Sequence, residues 1–232
     1  MPRDFESGNS NRIGSTGTGW AAINFPATLA ALCTVESLPG SGTYRYVISL
    51  SSGTAANQLG LFLDGDNSGG LALRSGSSTV VSGAPIVPPT DKWLLLAVTK
   101  ASGTATPNFY MYRFDTAAWT TDSSGNTIGD RTAASATLDI GSLGAASYWD
   151  GLIEIAAMWH NVALTQQQLE GLLYGPRAWY DLHQNRSGAI MDIRWSNNRQ
   201  RDFFNPAVLM TTGTDPGIVA SPTATAPRAP WS

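Results

Sequence analysis

Charge is what this chain has least of, and lysine above all. Only 13% of its 232 residues are charged, with 14 basic and 17 acidic side chains and a net charge of −3. Lys92 and Lys100 are the only lysines. Nucleic-acid binding rests on clustered basic side chains facing phosphates, so this balance excludes a nucleic-acid partner. Cysteine is reduced to Cys33, which rules out an internal disulfide. Set in an apolar stretch, it reads as a small buried hydrophobe. Histidine is limited to His160 and His183. With no G-x-S-x-G elbow, zinc motif or phosphate loop, the usual catalytic and cofactor constellations are missing. Long apolar runs are absent as well: none approaches the ~20 residues of a membrane span. The opening Met1-Pro2-Arg3-Asp4-Phe5 carries no apolar signal segment.

Turns and short strands make up what remains. Glycine is abundant at 24 residues, and strand-like runs alternate with turn signals. The pattern predicts strands at Trp20–Asn24, Leu29–Leu38, Tyr44–Leu50, Gln58–Asp64, Leu71–Ser75, Thr79–Val81, Trp93–Lys100, Phe109–Asp115, Ala136–Ile140 and Leu152–His160. Turns fall at Pro39-Gly40-Ser41-Gly42, Asp64 to Gly70 and Ser123-Ser124-Gly125-Asn126. Many short strands with such spacing point to an all-β, two-sheet antiparallel sandwich rather than to βαβ units.

Residues 149–175 are the most informative stretch. Asp150-Gly151 reads as a tight hairpin turn. From Leu152 to Trp159 the period-2 rule puts Ile153, Ile155, Ala157 and Trp159 on one face, and Leu152, Glu154, Ala156 and Met158 on the other. Both faces are largely apolar, so the strand needs cover on both sides. Thr165 and Gln168 form a capping box, Leu164 and Leu169 a hydrophobic staple, and Gly175-Pro176 the stop. One helix near 165–174 follows. At about nine residues it cannot stand alone in water, so its Leu169, Leu172 and Leu173 face must dock on the sandwich.

Trp149-Asp150-Gly151-Leu152-Ile153-Glu154-Ile155, then Asn161-Val162-Ala163-Leu164-Thr165 and Leu169, resembles the C-terminal signature of concanavalin A-like lectin and glucanase domains, the laminin-G-like jelly rolls. Ala30–Pro39, Tyr44–Ser49, Asp91–Thr99 and Phe109–Tyr112 resemble further strands of that family in the same order. The resemblance implies a jelly roll over roughly residues 3 to 175. It also implies a binding or structural role, of the kind these domains take in tailed-bacteriophage particles. Here the family's Asp-Glu pair in the signature strand is reduced to Glu154 followed by Ile155.

The fold family includes glycosidases, which need two carboxyl groups about 5 to 9 Å apart across one bond. On a strand this means acids at i and i+2 or i+4. The E-x-D-x-x-E and E-x-D-x-E patterns of laminarinase-type relatives do not occur, and Asp4/Glu6 sits in terminal text. No enzymatic activity is therefore expected. Asp64-Gly65-Asp66-Asn67-Ser68-Gly69 matches the first half of a calcium loop, but Ser75 stands where the bidentate Glu belongs. An ordinary hairpin turn is the expected reading, with calcium at Asp64, Asp66 and Ser68 as the alternative. Trp93 and Trp159 are expected in the core. Trp119, Tyr148 and Trp149 fall in or beside loops and are the candidates for glycan or partner contact.

Residues 1–210 are expected to form one jelly-roll domain, with 176–210 returning beside the sheets. Residues 211–232 hold Pro216, Pro222, Pro227 and Pro230 and end near Trp231, which reads as an extended arm with an apolar anchor. Together these features lead to the expectation of a virion surface protein, such as a capsid decoration protein, made in the host cytoplasm without a signal peptide. Its expected partners are capsid or other virion proteins, itself as a homo-oligomer, and host surface glycans. A lectin-like module on a tail or adhesion protein is the alternative.

Overall fold

A computed structural model describes residues 3–15, 24–52, 54–132, 136–175 and 178–179, together with the strand backbone of 188–192, 200–201 and 209–212. Its strands form two antiparallel sheets. The first runs β1 (Arg3–Phe5), β12 (Gly151–His160), β3 (Ala27–Cys33), β8 (Leu94–Lys100), β9 (Asn108–Arg113) and β10 (Ala118–Ser123), with β13 (Gly188–Asp192) also paired to β12. The second runs β14 (Gln200–Arg201), β15 (Leu209–Thr212), β2 (Ile13–Ser15), β11 (Thr137–Ile140), β4 (Tyr44–Ser51), β5 (Leu59–Asp64), β6 (Gly70–Ser75) and β7 (Ser78–Val81). The sandwich expected from the sequence is the observed architecture.

β3 shows why the sheets must be covered twice. All seven of its residues are buried. Leu29, Ala31 and Cys33 point between the sheets, where they meet Leu96 and Val98 of β8, Leu61 and Leu63 of β5, and Leu138 and Ile140 of β11. Ala30 and Leu32 point outward into a second apolar layer with Leu95, Ala97, Ile155, Ala157 and Trp159. That layer is closed by Leu164, Leu169, Leu172 and Trp179, and the Trp159 and Trp179 rings lie 5.8 Å apart. Each buried leucine contributes about 2 kcal/mol relative to exposure, so the outer cover is a major stabilising element.

That cover is the expected capped helix, α1 (Gln166–Gly171), continued by a 3₁₀ turn over Leu172–Tyr174. Thr165 Oγ1 accepts from the Gln168 backbone N–H at 3.3 Å, and Gln168 Oε1 accepts from the Thr165 N–H at 2.9 Å. Gly175 follows at φ 115. Trp179 Nε1 donates to Leu172 O at 3.1 Å, which pins the next segment on the helix end.

Two local expectations are corrected. First, the period-2 reading of β12 fails at its start. Ile153 pairs with Cys33 but Ile155 pairs with Leu32, so Glu154 is the extra residue of a β-bulge. The bulge shifts parity: Ile153 joins Ala156 and Met158 between the sheets, while Ile155, Ala157 and Trp159 face the helix. Second, Asp150-Gly151 is not a hairpin turn. The strands on either side of it, β11 and β12, belong to different sheets, so it closes a crossover. β1, β2 and β10 were not anticipated; the first two are only three residues long. β13, which lies within 176–210, pairs with Ile155–Trp159. β15 straddles position 210/211, and the predicted strand at 20–23 and Trp231 lie outside the described residues.

Gly151 is required by close approach. Its φ is +137, and an added Cβ would lie 2.3 Å from Thr34 O. That carbonyl already accepts the Trp149 indole N–H at 3.1 Å. Gly151→Ala is expected to cost on the order of 2–4 kcal/mol, read as a lower urea midpoint with an unchanged slope. A midpoint like that of the parent chain would show that the crossover relaxes freely.

Candidate functional site

Two clusters of side chains stand out, one acidic and one aromatic. The acidic group forms where β1 lies beside the start of β12 and the end of β3. Strand register sets Asp4 opposite Leu152, and Glu36 follows β3 closely. One carboxylate oxygen from each of Asp4, Glu6 and Glu36 lies within 4.8 Å of the others, near enough to share one cation. Asp150 is their neighbour and is differently placed. It accepts from Arg45 Nη1 at 2.8 Å, from the Ser7 N–H and Oγ at 3.3 Å each, and from Ser37 Oγ. Asp150 therefore ties the N-terminal segment, the β3–β4 loop, β4 and β12 to one carboxylate.

These surroundings split the acids. Burial alone would raise Asp150, but its donors and the Arg45 charge outweigh it and hold the group below the usual carboxylate range. Glu36 is carried up to about 7, first by partial desolvation and then by the charges of Asp4, Asp150, Glu6 and Asp91. Asp4 is raised by burial, Glu6 and Asp150. Sequence spacing could not reveal this group, because residues 4, 6, 36 and 150 meet only through strand pairing.

The aromatic group lies on the outward face of the first sheet. Tyr110 and Tyr112 of β9, Phe114 after it, and Trp119 of β10 form a continuous shelf. Tyr112 and Trp119 are cross-strand partners with ring centroids 5.1 Å apart. Tyr110–Trp119 is edge-on at 6.4 Å and Tyr112–Phe114 edge-on at 5.0 Å. Tyr112, Phe114 and Trp119 are half-buried, and Thr121, opposite Tyr110, is exposed. The shelf flanks the apolar layer under the helix.

The sequence-predicted residues separate accordingly. Trp119 is on the surface, but in a strand rather than a loop, because β10 hydrogen-bonds along β9 over six residues. Trp149 is corrected: it is 0% exposed, packed in the inter-sheet core, and cannot meet a ligand. Tyr148 is half-buried in the crossover beside it, apart from the shelf. Glu154 is buried in the bulge, so the reduced signature acid faces no groove. Trp93 and Trp159 are buried as expected.

Asp64, Asp66 and Ser68 form the β5–β6 hairpin turn. Asp64 Oδ1 accepts from the Asp66 N–H at 3.0 Å and Oδ2 from Asn67 Nδ2 at 2.7 Å. Asp66 Oδ1 accepts from the Gly42 N–H at 2.7 Å and Ser41 Oγ at 2.9 Å, which holds its pKa below the usual value. Ser68 takes the left-handed conformation at φ 58. These carboxylates serve as turn acceptors. Elsewhere, a polar cavity of 160 Å³ is lined by Ala56, Ser75, Gly76, Ser77, Ser78, Gly129, Asp130 and Thr132, with one acid among them.

No known family model matches the chain, and no curated protein sequence does. Solved structures do resemble it. Tailspike protein 2 of an Escherichia coli O157:H7 bacteriophage superposes with a TM-score of 0.50 at 13% identity, over 71% of this chain and 23% of that one. The LG1–3 region of the laminin α2 chain gives 0.46 at 15% identity, over 68% and 30%. The CBM40 module of a Ruminococcus gnavus IT-sialidase, bound to α2,3-sialyllactose, gives 0.45 at 13% identity, over 73% and 94%. The chain thus spans about a quarter of the tailspike chain's length. At this identity the likeness is one of fold, a β-sandwich.

The acidic group has a direct consequence for stability. A carboxyl group whose pKa rises from 4.5 to about 7 on folding binds its proton more tightly in the folded chain. Its contribution is full below pH 4.5 and is lost as pH climbs through 7. The melting temperature is expected to fall between pH 5 and 8 on this account, and Glu36→Gln to flatten that fall. An equally steep fall in the variant would show that Glu36 is not the titrating group.

Proposed function

We propose that this domain is a non-enzymatic, lectin-like module of a tailed-phage particle, and that it holds a glycan on the Tyr112–Phe114–Trp119 shelf. The shelf carries the reading. Three neighbouring rings in mutual contact stay half-open on one sheet face. Aromatic faces are apolar and electron-rich, which suits the C–H faces of a pyranose ring. Exposed Thr121, opposite Tyr110 on the same face, offers a hydroxyl partner. Fold likeness to a tailspike agrees with a particle-borne setting, though fold alone assigns no function.

The non-enzymatic part rests on the placement of the acids. Glu154 is buried at a bulge, Asp150 is occupied by four donors, and the described 160 Å³ cavity holds a single carboxylate. Glycosidases need two carboxyl groups about 5 to 9 Å apart, one on each side of the bond, whereas the oxygens of Asp4, Glu6 and Glu36 crowd within 4.8 Å of one another. Attachment to capsid or tail proteins belongs, in this reading, to the chain beyond Thr212. The fold favours tail over head only through the tailspike likeness.

A glycan array probed with labelled full-length protein tests the proposal. A saccharide hit is expected, with Trp119→Ala and Tyr112→Ala each weakening binding at least about tenfold, ~1.4 kcal/mol, in variants of unchanged circular dichroism. A silent array with folded protein, or a hit indifferent to both substitutions, sinks the proposal.

A further inference from the structure

We propose that β10 is a self-association edge, through which two copies of this chain pair antiparallel about a two-fold axis at Thr120 and join their first sheets into one. Among the described residues, strand order leaves β10 at the end of its sheet with β9 as its one strand partner. It is six residues long and in unbroken register with β9, so no bulge bends it away. By comparison, the terminal strands of the second sheet, β7 and β14, have only four and two residues.

Sheet edges are normally blunted by lysine, proline, inward charge, bulges or shortness, because a row of free backbone N–H and C=O groups templates another strand. Ala118–Ser123 contains no lysine, arginine or proline. Its one charge, Asp122, is engaged: Oδ2 accepts from the Ala84 N–H at 2.8 Å. At the same end Ser123 O accepts from the Gly83 N–H at 3.3 Å. One end of the strand is thus occupied by the loop after β7. Ala118, Thr120 and Thr121 are exposed, and Trp119 and Asp122 half-buried. Among the described residues, no strand lies opposite the backbone of Ala118–Asp122 on that side.

The sequence of that stretch fits a second copy of itself. In an antiparallel pair, opposed residues share a face. A two-fold perpendicular to the sheet therefore passes through a residue, not between two. Thr120 is the centre of the stretch. The axis there sets Thr120 against Thr120 of the second copy, Trp119 against Thr121, and Ala118 against Asp122. No like charges meet, and the central pair is a hydroxyl-bearing, β-branched one of the kind that stabilises strand pairs. Such an isologous contact closes as a dimer and does not propagate into fibres.

The same operator keeps both outward faces on one side of the joined sheet. The two Trp119 side chains then flank the axis, and the two aromatic shelves become one platform. This last consequence rests on the glycan reading; the pairing itself does not.

Analytical ultracentrifugation of the full chain up to about 100 µM tests the edge. A species of twice the 24.5 kDa chain mass is expected. Thr120→Lys sets two ammonium groups opposite each other and raises the dimer dissociation constant at least about tenfold. Thr120→Glu does the same with two carboxylates. An equimolar mixture of the two variants restores the two-chain species, because lysine then faces glutamate. The proposal is overturned if the parent chain stays monomeric over this range. A Thr120→Lys chain that dimerises like the parent, or a mixture that fails to recover, overturns it equally. Measured below the concentration at which the parent chain dimerises, the melting temperatures of all three proteins should agree, because the position is exposed and no association then adds to stability. Glycan binding by a purely monomeric chain would leave the lectin reading standing and remove only the pairing.

Discussion

The structure depends on one constraint: its central strands are apolar on both faces. β3 and β12 must exclude water twice, once between the sheets and once outside. The second sheet meets the first demand and the short helix with Trp179 meets the second. A helix this short has no stability of its own; it persists because Leu164, Leu169 and Leu172 fill a layer that would otherwise be open to water. The same layer ends at the Tyr112–Phe114–Trp119 shelf, where cover runs out. The proposed binding surface is thus the uncovered margin of a core that the rest of the chain has closed.

A second constraint acts at the other side of the first sheet. β1 is a three-residue strand, and so short a pairing needs additional anchorage. Phe5 is fully buried in the core, and Ser7 bonds Asp150. The acids beside it, Asp4, Glu6 and Glu36, oppose this arrangement by mutual repulsion. Asp150 keeps its charge because Arg45 and three further donors surround it. One carboxylate is satisfied and the others are crowded, from the same few ångströms of structure.

Much of the site was hidden from the sequence for identifiable reasons. Trp119 was recognised as a surface aromatic, yet its strand was missed, since Ala118–Ser123 is polar, exposed and lacks the alternation of a half-buried strand. Trp149 sat beside turn-like text and looked accessible. Its burial follows from the crossover carrying it between the sheets, where its indole N–H finds Thr34 O. Tyr112 and Phe114 gained significance only when Trp119 was set against them by the β9–β10 register.

By itself, the sequence determined the two-sheet class, most strand positions, the capped helix and the need to cover β12 on both faces. These follow from local causes: side-chain periodicity, capping hydrogen bonds, and the conformational freedom of glycine at turns. Tertiary structure alone decided which residues became neighbours. It gathered residues 4, 6, 36 and 150 in one acidic group, displaced Ile153 to the inner face through a single bulged residue, and left β10 at the end of its sheet among the described residues. None of these is local, because strand order and register join residues over a hundred positions apart, and a one-residue shift in register reverses which face every following side chain occupies.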